Sequence, residues 1–137
     1  IASYRRPTSH YLAGLLQIDR GGELLVLETL RHAGSRLLSY GYRYFDAARF
    51  GGIDATFARL RSLTATLAEF GCRRLLRRAT WIDTRMPRKV EAAALGIDLD
   101  EPVIVLSYVD TDGEGRPILF GNTVLRGGSV RVRVETA

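Results

Sequence analysis

The sequence predicts an α+β domain: one mostly antiparallel β-sheet with helices packed on one face. Three observations support this. Segments of alternating apolar and polar residues come in pairs joined by short turns, helical segments lie between the pairs, and 137 residues is about the length of one domain. Short turns favour antiparallel pairing, because parallel strands need long crossover connections. The predicted order is strand pair, helix, strand, helix, strand pair.

The first part of the chain offers little regular pattern. Residues 1–9 are basic and polar, which is typical of either a linker end or an edge strand. A short apolar stretch at 10–16 is followed by a turn signal at 19–22. We therefore expect the globular domain to occupy residues 10–137.

A β-hairpin is predicted next. Residues 23–32 alternate strictly, a turn follows at 33–35, and residues 36–45 return as a second strand. One face of the first strand carries Leu25, Leu27, Thr29 and Arg31. One face of the second carries Leu38, Tyr40, Tyr42 and Tyr44.

Two helices are expected. Residues 62–70 have helical spacing, with Ser62 as a plausible N-cap and Gly71 as a plausible C-terminal glycine. This helix could begin earlier, near Asp54, with a kink or restart near Ser62. A second short helix is predicted from Pro87 to Gly96, after an extended segment.

Three further strands complete the prediction. Residues 102–109 form a continuous apolar run, which suits a strand covered on both faces. A turn at 112–115 leads into a strand at 116–126. Residues 129–134 alternate as a last strand.

Composition excludes several classes of protein. A single cysteine, Cys72, cannot form an intramolecular disulfide, and two histidines add little metal-binding capacity, so we expect no metal and no cofactor. No apolar run is long enough to span a bilayer. No phosphate-binding loop, nucleotide fingerprint or hydrolase motif is present. The net charge of +5, from 19 Arg and one Lys, attracts anions but does not by itself indicate nucleic-acid binding.

A small anion site is the best chemical candidate. Arg31 lies on a strand face expected to point at the core, where a guanidinium needs a partner. Ser62 begins a helix, and helix N-termini attract phosphate or carboxylate groups; Thr64 could add a donor. The alternative is an ordinary N-cap and an Arg31 that pairs with Glu28 or Asp83. Tyr40, Tyr42 and Tyr44 form a tyrosine stripe on one strand face, and two roles are possible for it. The stripe could pack in the core or form the wall of a ligand pocket.

The order of short motifs resembles the UTRA domain, the effector-binding domain of GntR-type transcription regulators of the HutC subfamily. The motifs are Ser62-Leu63, Gly71, Leu95-Gly96-Ile97, Glu101-Pro102-Val103, Asp112-Gly113, Pro117-Ile118 and Arg126-Gly127. The first hairpin strand and the segment around Arg49-Phe50 also fit. Residues 5–15, 45–53 and 62–71 are most similar to the branch that regulates phosphonate metabolism.

The resemblance implies a six-stranded sheet with a chorismate lyase-like fold in a cytoplasmic homodimer. It also implies a small anionic effector and an N-terminal winged helix-turn-helix domain, absent from this sequence, that would bind operator DNA. The domain itself would not bind DNA or a membrane and would not be an enzyme. Because the chain begins at Ile1, we expect that another segment precedes it.

The resemblance also suggests particular site residues. Arg31 and Ser62 match positions that hold phosphate in sugar-phosphate-binding relatives. Thr29 stands where those relatives have another arginine. Tyr40 and Leu119 stand where they have acids that bind hydroxyl groups, which favours a small phosphonate or phosphate ester over an amino-sugar phosphate. Thr64, Tyr40 and Thr123 are further candidates by position.

Two other functions remain open from the sequence. A chorismate lyase-like enzyme on the same fold would need a pocket arginine and an acidic acid–base residue. A direct nucleic-acid binder would show affinity that falls steeply with salt.

Overall fold

A computed structural model describes residues 2–136, without the side chain of Ser129. In this range there are six strands, four α-helices and one 3-10 turn. In chain order they are β1 (Ala2–Pro7), α1 (His10–Leu16), β2 (Glu23–Ala33), β3 (Arg36–Asp46), α2 (Ile53–Leu60), α3 (Leu63–Glu69), β4 (Leu76–Arg85), α4 (Lys89–Leu95), β5 (Val103–Thr111), β6 (Pro117–Arg126) and the 3-10 turn Gly127–Ser129. None of the helices in the described range is long and apolar enough to cross a membrane.

All six strands form one antiparallel sheet in the order β1-β2-β3-β6-β5-β4. The predicted α+β class and antiparallel sheet are confirmed. Of the two possibilities for the first residues, the structure shows the edge strand: β1 pairs with β2. β4 forms the opposite edge.

Each face of the sheet carries its own apolar core. On one face, which we call the tyrosine face, Leu24, Val26, Tyr42 and Tyr44 pack with α1 and α4. On the other, the α2–α3 face, residues such as Leu25, Leu27 and Phe45 pack against α2 and α3. The helices are therefore divided between both faces, whereas the sequence led us to expect them on one. The apolar residues of β2 and β3 alternate between two cores, so each face buries a helical layer.

The break between α2 and α3 follows from local chemistry. Arg61 ends α2 in the left-handed conformation, with φ of 54°. Ser62 then begins α3 as its N-cap, and its Oγ accepts a hydrogen bond from Ala65 N at 3.2 Å. The predicted restart near Ser62 is confirmed. The close succession of the two short helices leaves Arg61 and Ser62 exposed at their junction.

Two sequence predictions differ from the structure. The strand predicted at residues 129–134 is not observed: residue 129 ends the 3-10 turn, and residues 130–136 form no strand. Residues 10–16, predicted only as an apolar stretch, form α1, which Ser9 caps by accepting from Leu12 N at 3.1 Å. A strand needs a partner edge as well as an alternating pattern, and β1 and β4 occupy the two edges of the described sheet without pairing with residues 130–136.

Candidate functional site

Three of the predicted site residues lie together on the α2–α3 face. In the sheet register Thr29 pairs with Gly41, and Gly41 pairs with Thr123, so these three positions form one row across β2, β3 and β6. Arg31 lies in the next row, opposite Ser39. Paired residues share a face, and Leu25 and Leu27 of the same strand pack against α2 and α3. The structure therefore places Thr29, Arg31 and Thr123 on the α2–α3 face.

Arg31 is exposed and Thr29 and Thr123 are half-buried. Within residues 2–136, Arg31 has no ion pair, so the alternative of pairing with Glu28 or Asp83 is not observed. A guanidinium has five N–H donors and cannot lose its charge. Arg31 is thus a cation available for an external anion.

A cavity of about 470 Å³ lies on this face, between the β1–β2 edge and α2. Its polar lining includes Thr29, Ser3, Asp54 and Arg61. The Ser3 hydroxyl donates to Asp54 Oδ2 at 3.2 Å, which occupies part of that carboxylate. Phe57 and Leu27 supply apolar wall. The lining therefore includes one cationic residue, Arg61, and two acidic residues, Asp54 and Glu28, in a partly apolar recess. Polar groups in an apolar recess are a usual composition for a small-molecule site.

The two helix residues of the predicted site lie close to this cavity along the chain. Ser62 directly follows Arg61, which lines the cavity. Its Oγ already accepts from Ala65 N, but a hydroxyl also carries one donor hydrogen that a ligand can accept. Thr64 is exposed in the first turn of α3. Neither residue is a ligand contact by geometry alone, and both remain candidates.

Sequence reasoning missed Arg43. Arg43 Nη1 donates to Thr29 Oγ1 at 3.0 Å, and the side chain is half-buried. A Cβ built on Gly41 would lie 3.0 Å from both of those atoms, so the guanidinium lies over the bare backbone of Gly41. The alternation of β3 could have predicted this position. Arg43 and Gly41 lie on the same face of the strand, and the tyrosines lie on the other.

Tyr40 lies on the opposite face from the other candidates. Its hydroxyl donates to Glu28 Oε1. Burial, and then the hydrogen bond to Glu28, raises the pKa of Tyr40 to about 12. The sheet separates this residue from Arg31, Thr29 and Thr123, so the structure does not bring it into the same site.

The neighbouring Tyr42 belongs to a closed polar network under α4. Its hydroxyl donates to Glu91 Oε2 at 2.7 Å. Arg85 donates to both oxygens of Glu91, at 2.7 and 2.9 Å, and Arg88 N donates at 2.9 Å. Burial alone would raise the pKa of Glu91, but these hydrogen bonds outweigh it and lower the pKa below 4.5. Tyr40, Tyr42 and Tyr44 are all buried in the apolar core of the tyrosine face.

Three further reactive side chains are His10, His32 and Cys72. His10 and His32 are exposed. Cys72 is buried, and that burial raises the pKa of its thiol, which disfavours the reactive thiolate. Within residues 2–136, no group of three or more His, Cys, Asp or Glu side chains is placed to hold a metal ion.

The comparisons with known proteins agree with this architecture. The UTRA domain profile matches residues 1–131. The effector domain of PhnF from Mycobacterium smegmatis superposes with a TM-score of 0.83 at 28% identity, over 100% of this chain and 85% of that one. The C-terminal domain of Yurk from Bacillus subtilis has a TM-score of 0.86 at 15% identity, covering 98% and 92% of the two chains, which shows the fold alone.

Curated relatives are longer proteins. An HTH-type transcriptional regulator of Rhizobium meliloti is 30% identical over 95% of this chain and 53% of its own length. The HTH-type transcriptional repressor PhnF of Mycolicibacterium smegmatis is 31% identical over 85% of this chain and 47% of its own. The chain therefore spans about half the length of the curated relatives that it matches.

In fold and sequence this chain is therefore similar to an effector domain and to parts of longer transcription regulators. The chain belongs to the UTRA domain family.

Proposed function

We propose that this chain is the effector-binding domain of a GntR-type transcription regulator of the HutC subfamily and that it senses a small anion. A phosphonate or a phosphorylated metabolite is the expected class of effector. The observation that carries the ligand class is the α2–α3 face, where Arg31 has no acidic partner among the described residues and lies one row from Thr29, which lines the cavity. Arg31 would make a charge-assisted contact to the anion. Ser62, Thr64, Thr29 and Thr123 would donate hydrogen bonds.

In this proposal the ligand acts by joining two layers of the domain. An anion on the α2–α3 face would contact β2 from the sheet and the Arg61–Ser62 junction from the helices. It would thereby stabilise the arrangement in which these layers are closest. A ligand shifts such an equilibrium only by its difference in affinity between the two states. A winged-helix domain, attached before β1 in a cytoplasmic homodimer, would convert that shift into altered operator binding.

Regulation of phosphonate metabolism is the finer part of the proposal. It is supported by the similarity to PhnF, which is a transcriptional repressor in Mycolicibacterium smegmatis. Relatives at about 30% identity can bind different effectors. The class of effector is therefore inferred from the residues of the site. A site that contains Arg31, Thr29 and Thr123 suits a compact tetrahedral anion, since three polar side chains can reach one group of oxygens.

A thermal-shift series tests the ligand class. The chain is heated with methylphosphonate, inorganic phosphate, glucose 6-phosphate, acetate and urocanate in turn. A ligand at 100 times its dissociation constant adds about 2.7 kcal/mol, which is roughly 6–10 °C for a domain of this size. Stabilisation by the phosphorus compounds, lost in Arg31→Ala, supports the proposal. Stabilisation only by carboxylates, or by none of the series, contradicts the proposed class of effector.

A direct assay addresses the enzymatic alternative. The named relatives are transcription regulators, which supports a sensor without catalysis. Incubation of the chain with chorismate, followed by ultraviolet absorbance, would reveal any lyase product. Turnover above the uncatalysed rate would overturn the sensor proposal. An electrophoretic shift assay of this chain at low salt likewise tests direct DNA binding, and we expect no shift.

A further inference from the structure

We infer that Arg43, seated on Gly41, is a principal anion-binding residue of the proposed effector site and that the site therefore prefers a dianion. This inference rests on the proposed function, because it names the group that would bind the effector on the α2–α3 face. It extends that function by adding a residue from β3 and by specifying the charge of the ligand.

The first argument concerns the charge of Arg43. Its guanidinium is half-buried, and the hydrogen bond to Thr29 Oγ1 at 3.0 Å joins it to a neutral hydroxyl. None of the ion pairs within residues 2–136 includes Arg43. By contrast Arg77 and Arg85, whose partners Asp110 and Glu91 are buried, each have a carboxylate at 2.8 Å or less. A partly desolvated cation without an anion is costly, so an external anion is the natural partner.

The second argument concerns position. Arg43 projects from the row that contains Leu27, but its Nη1 lies against Gly41 and Thr29, one row nearer to Arg31. Rows on one face are about 7 Å apart and neighbouring strands roughly 4.8 Å apart. The long side chain of Arg31 can cover that separation. Both guanidiniums can therefore reach one ligand placed between Thr29 and Ser39.

The third argument concerns space. A Cβ at position 41 would lie 3.0 Å from both Arg43 Nη1 and Thr29 Oγ1, which is tighter than ordinary contact. The backbone of Gly41 does not have a positive φ, so the conformation does not require glycine. What glycine provides here is room for the guanidinium. Gly41→Ala should displace the charge of Arg43 without removing it.

Two convergent guanidiniums indicate the charge of the ligand. The planar guanidinium of arginine can donate two parallel hydrogen bonds to two oxygens of one phosphate-like group. A phosphonate or phosphate dianion can engage Arg31 and Arg43 together, whereas a carboxylate monoanion balances only one of them. Arg61 lines the adjoining cavity and adds further positive charge. Asp54 and Glu28 line the same cavity and would oppose an anion placed beside them, so the anion belongs on the side of Thr29 that is nearer to Arg31.

Calorimetric titration of the whole chain with methylphosphonate, inorganic phosphate and acetate tests the inference. The variants are Arg43→Gln, Arg43→Lys, Gly41→Ala and Arg31→Gln. The matched control is Arg36→Gln, which removes an exposed arginine from the same strand. We expect Arg43→Gln to weaken binding of both dianions by roughly 10- to 100-fold, Arg43→Lys and Gly41→Ala by less, and Arg36→Gln by under about 2-fold. Acetate should bind more weakly than the dianions. Thermal unfolding without ligand verifies that each variant folds.

The outcomes separate the two proposals. Dianion binding that Arg43→Gln leaves intact and Arg31→Gln abolishes overturns the role of Arg43 and keeps the anion sensor. Acetate binding as tight as that of methylphosphonate overturns the dianion preference. Absence of binding by all three probes to the unmodified chain overturns the anion sensor and this inference together.

Discussion

The two faces of the sheet treat their polar groups differently. On the tyrosine face, Glu91 is fully buried, and its carboxylate is bound by Arg85, Tyr42 and the Arg88 backbone. On the α2–α3 face, Arg43 has a hydroxyl partner and Arg31 has no ion pair within the described residues. A network closed within the protein contributes to folding, while groups without internal counter-charge can bind a ligand. The comparison predicts that mutations on the first face change stability and those on the second change affinity.

Glu91→Ala should have the largest effect on stability. The substitution leaves the Arg85 guanidinium and the Tyr42 hydroxyl without their partner inside the protein. Breaking a buried ion pair on one side costs about 3–5 kcal/mol. Urea unfolding followed by circular dichroism measures the free energy of unfolding. A loss below about 1 kcal/mol would show that the network is not a source of stability.

Acid should weaken the same network. The pKa of Glu91 is lowered in the folded protein, so its contribution to stability is fully present above its unfolded value of 4.5 and is lost as the pH falls below it. The stability difference between the unmodified chain and Glu91→Gln should therefore shrink as the pH is taken from about 6 to about 3. Urea midpoints at a series of pH values measure this difference. A stability difference that stays constant over this pH range would contradict a lowered pKa of Glu91 in the folded protein.

Tyr40→Phe distinguishes the two faces at a residue that sequence reasoning placed in the ligand site. It removes the hydroxyl that donates to Glu28. We expect a loss of about 1–2 kcal/mol in the free energy of unfolding and no change in the affinity for methylphosphonate. A selective loss of affinity with unchanged stability would return Tyr40 to the site.

Arg31→Gln should have the smallest effect on stability. An exposed side chain without an ion pair contributes within about 0.5 kcal/mol. The Arg31→Gln variant should nevertheless bind methylphosphonate clearly more weakly. Arg36→Gln should change neither the free energy of unfolding nor the affinity for methylphosphonate. Paired urea unfolding and calorimetric titrations compare the two variants. Equal affinities of Arg31→Gln and Arg36→Gln would remove Arg31 from the proposed site.

Much of the fold follows from local patterns in the sequence. Strict alternation predicted β2 and β3 to within a residue or so at their ends, because side chains on a strand alternate between faces. The N-cap Ser62 predicted the start of α3, because its side chain satisfies a free backbone N–H. Alternation also grouped Thr29 with Arg31. Each of these features depends on residues that are near neighbours in the chain.

Only the tertiary structure decided which groups meet across the sheet. Residues 130–134 alternate like a strand but do not pair, whereas β1 pairs despite a polar sequence. Tyr40 and Arg43, three residues apart, lie on opposite faces, and the cover on each face comes from helices distant in sequence. The register between β2 and β3 places Arg43 beside Thr29. Local sequence determines backbone conformation and which residues share a face, but strand pairing and helix packing determine which side chains become neighbours, since those contacts join residues far apart in the chain.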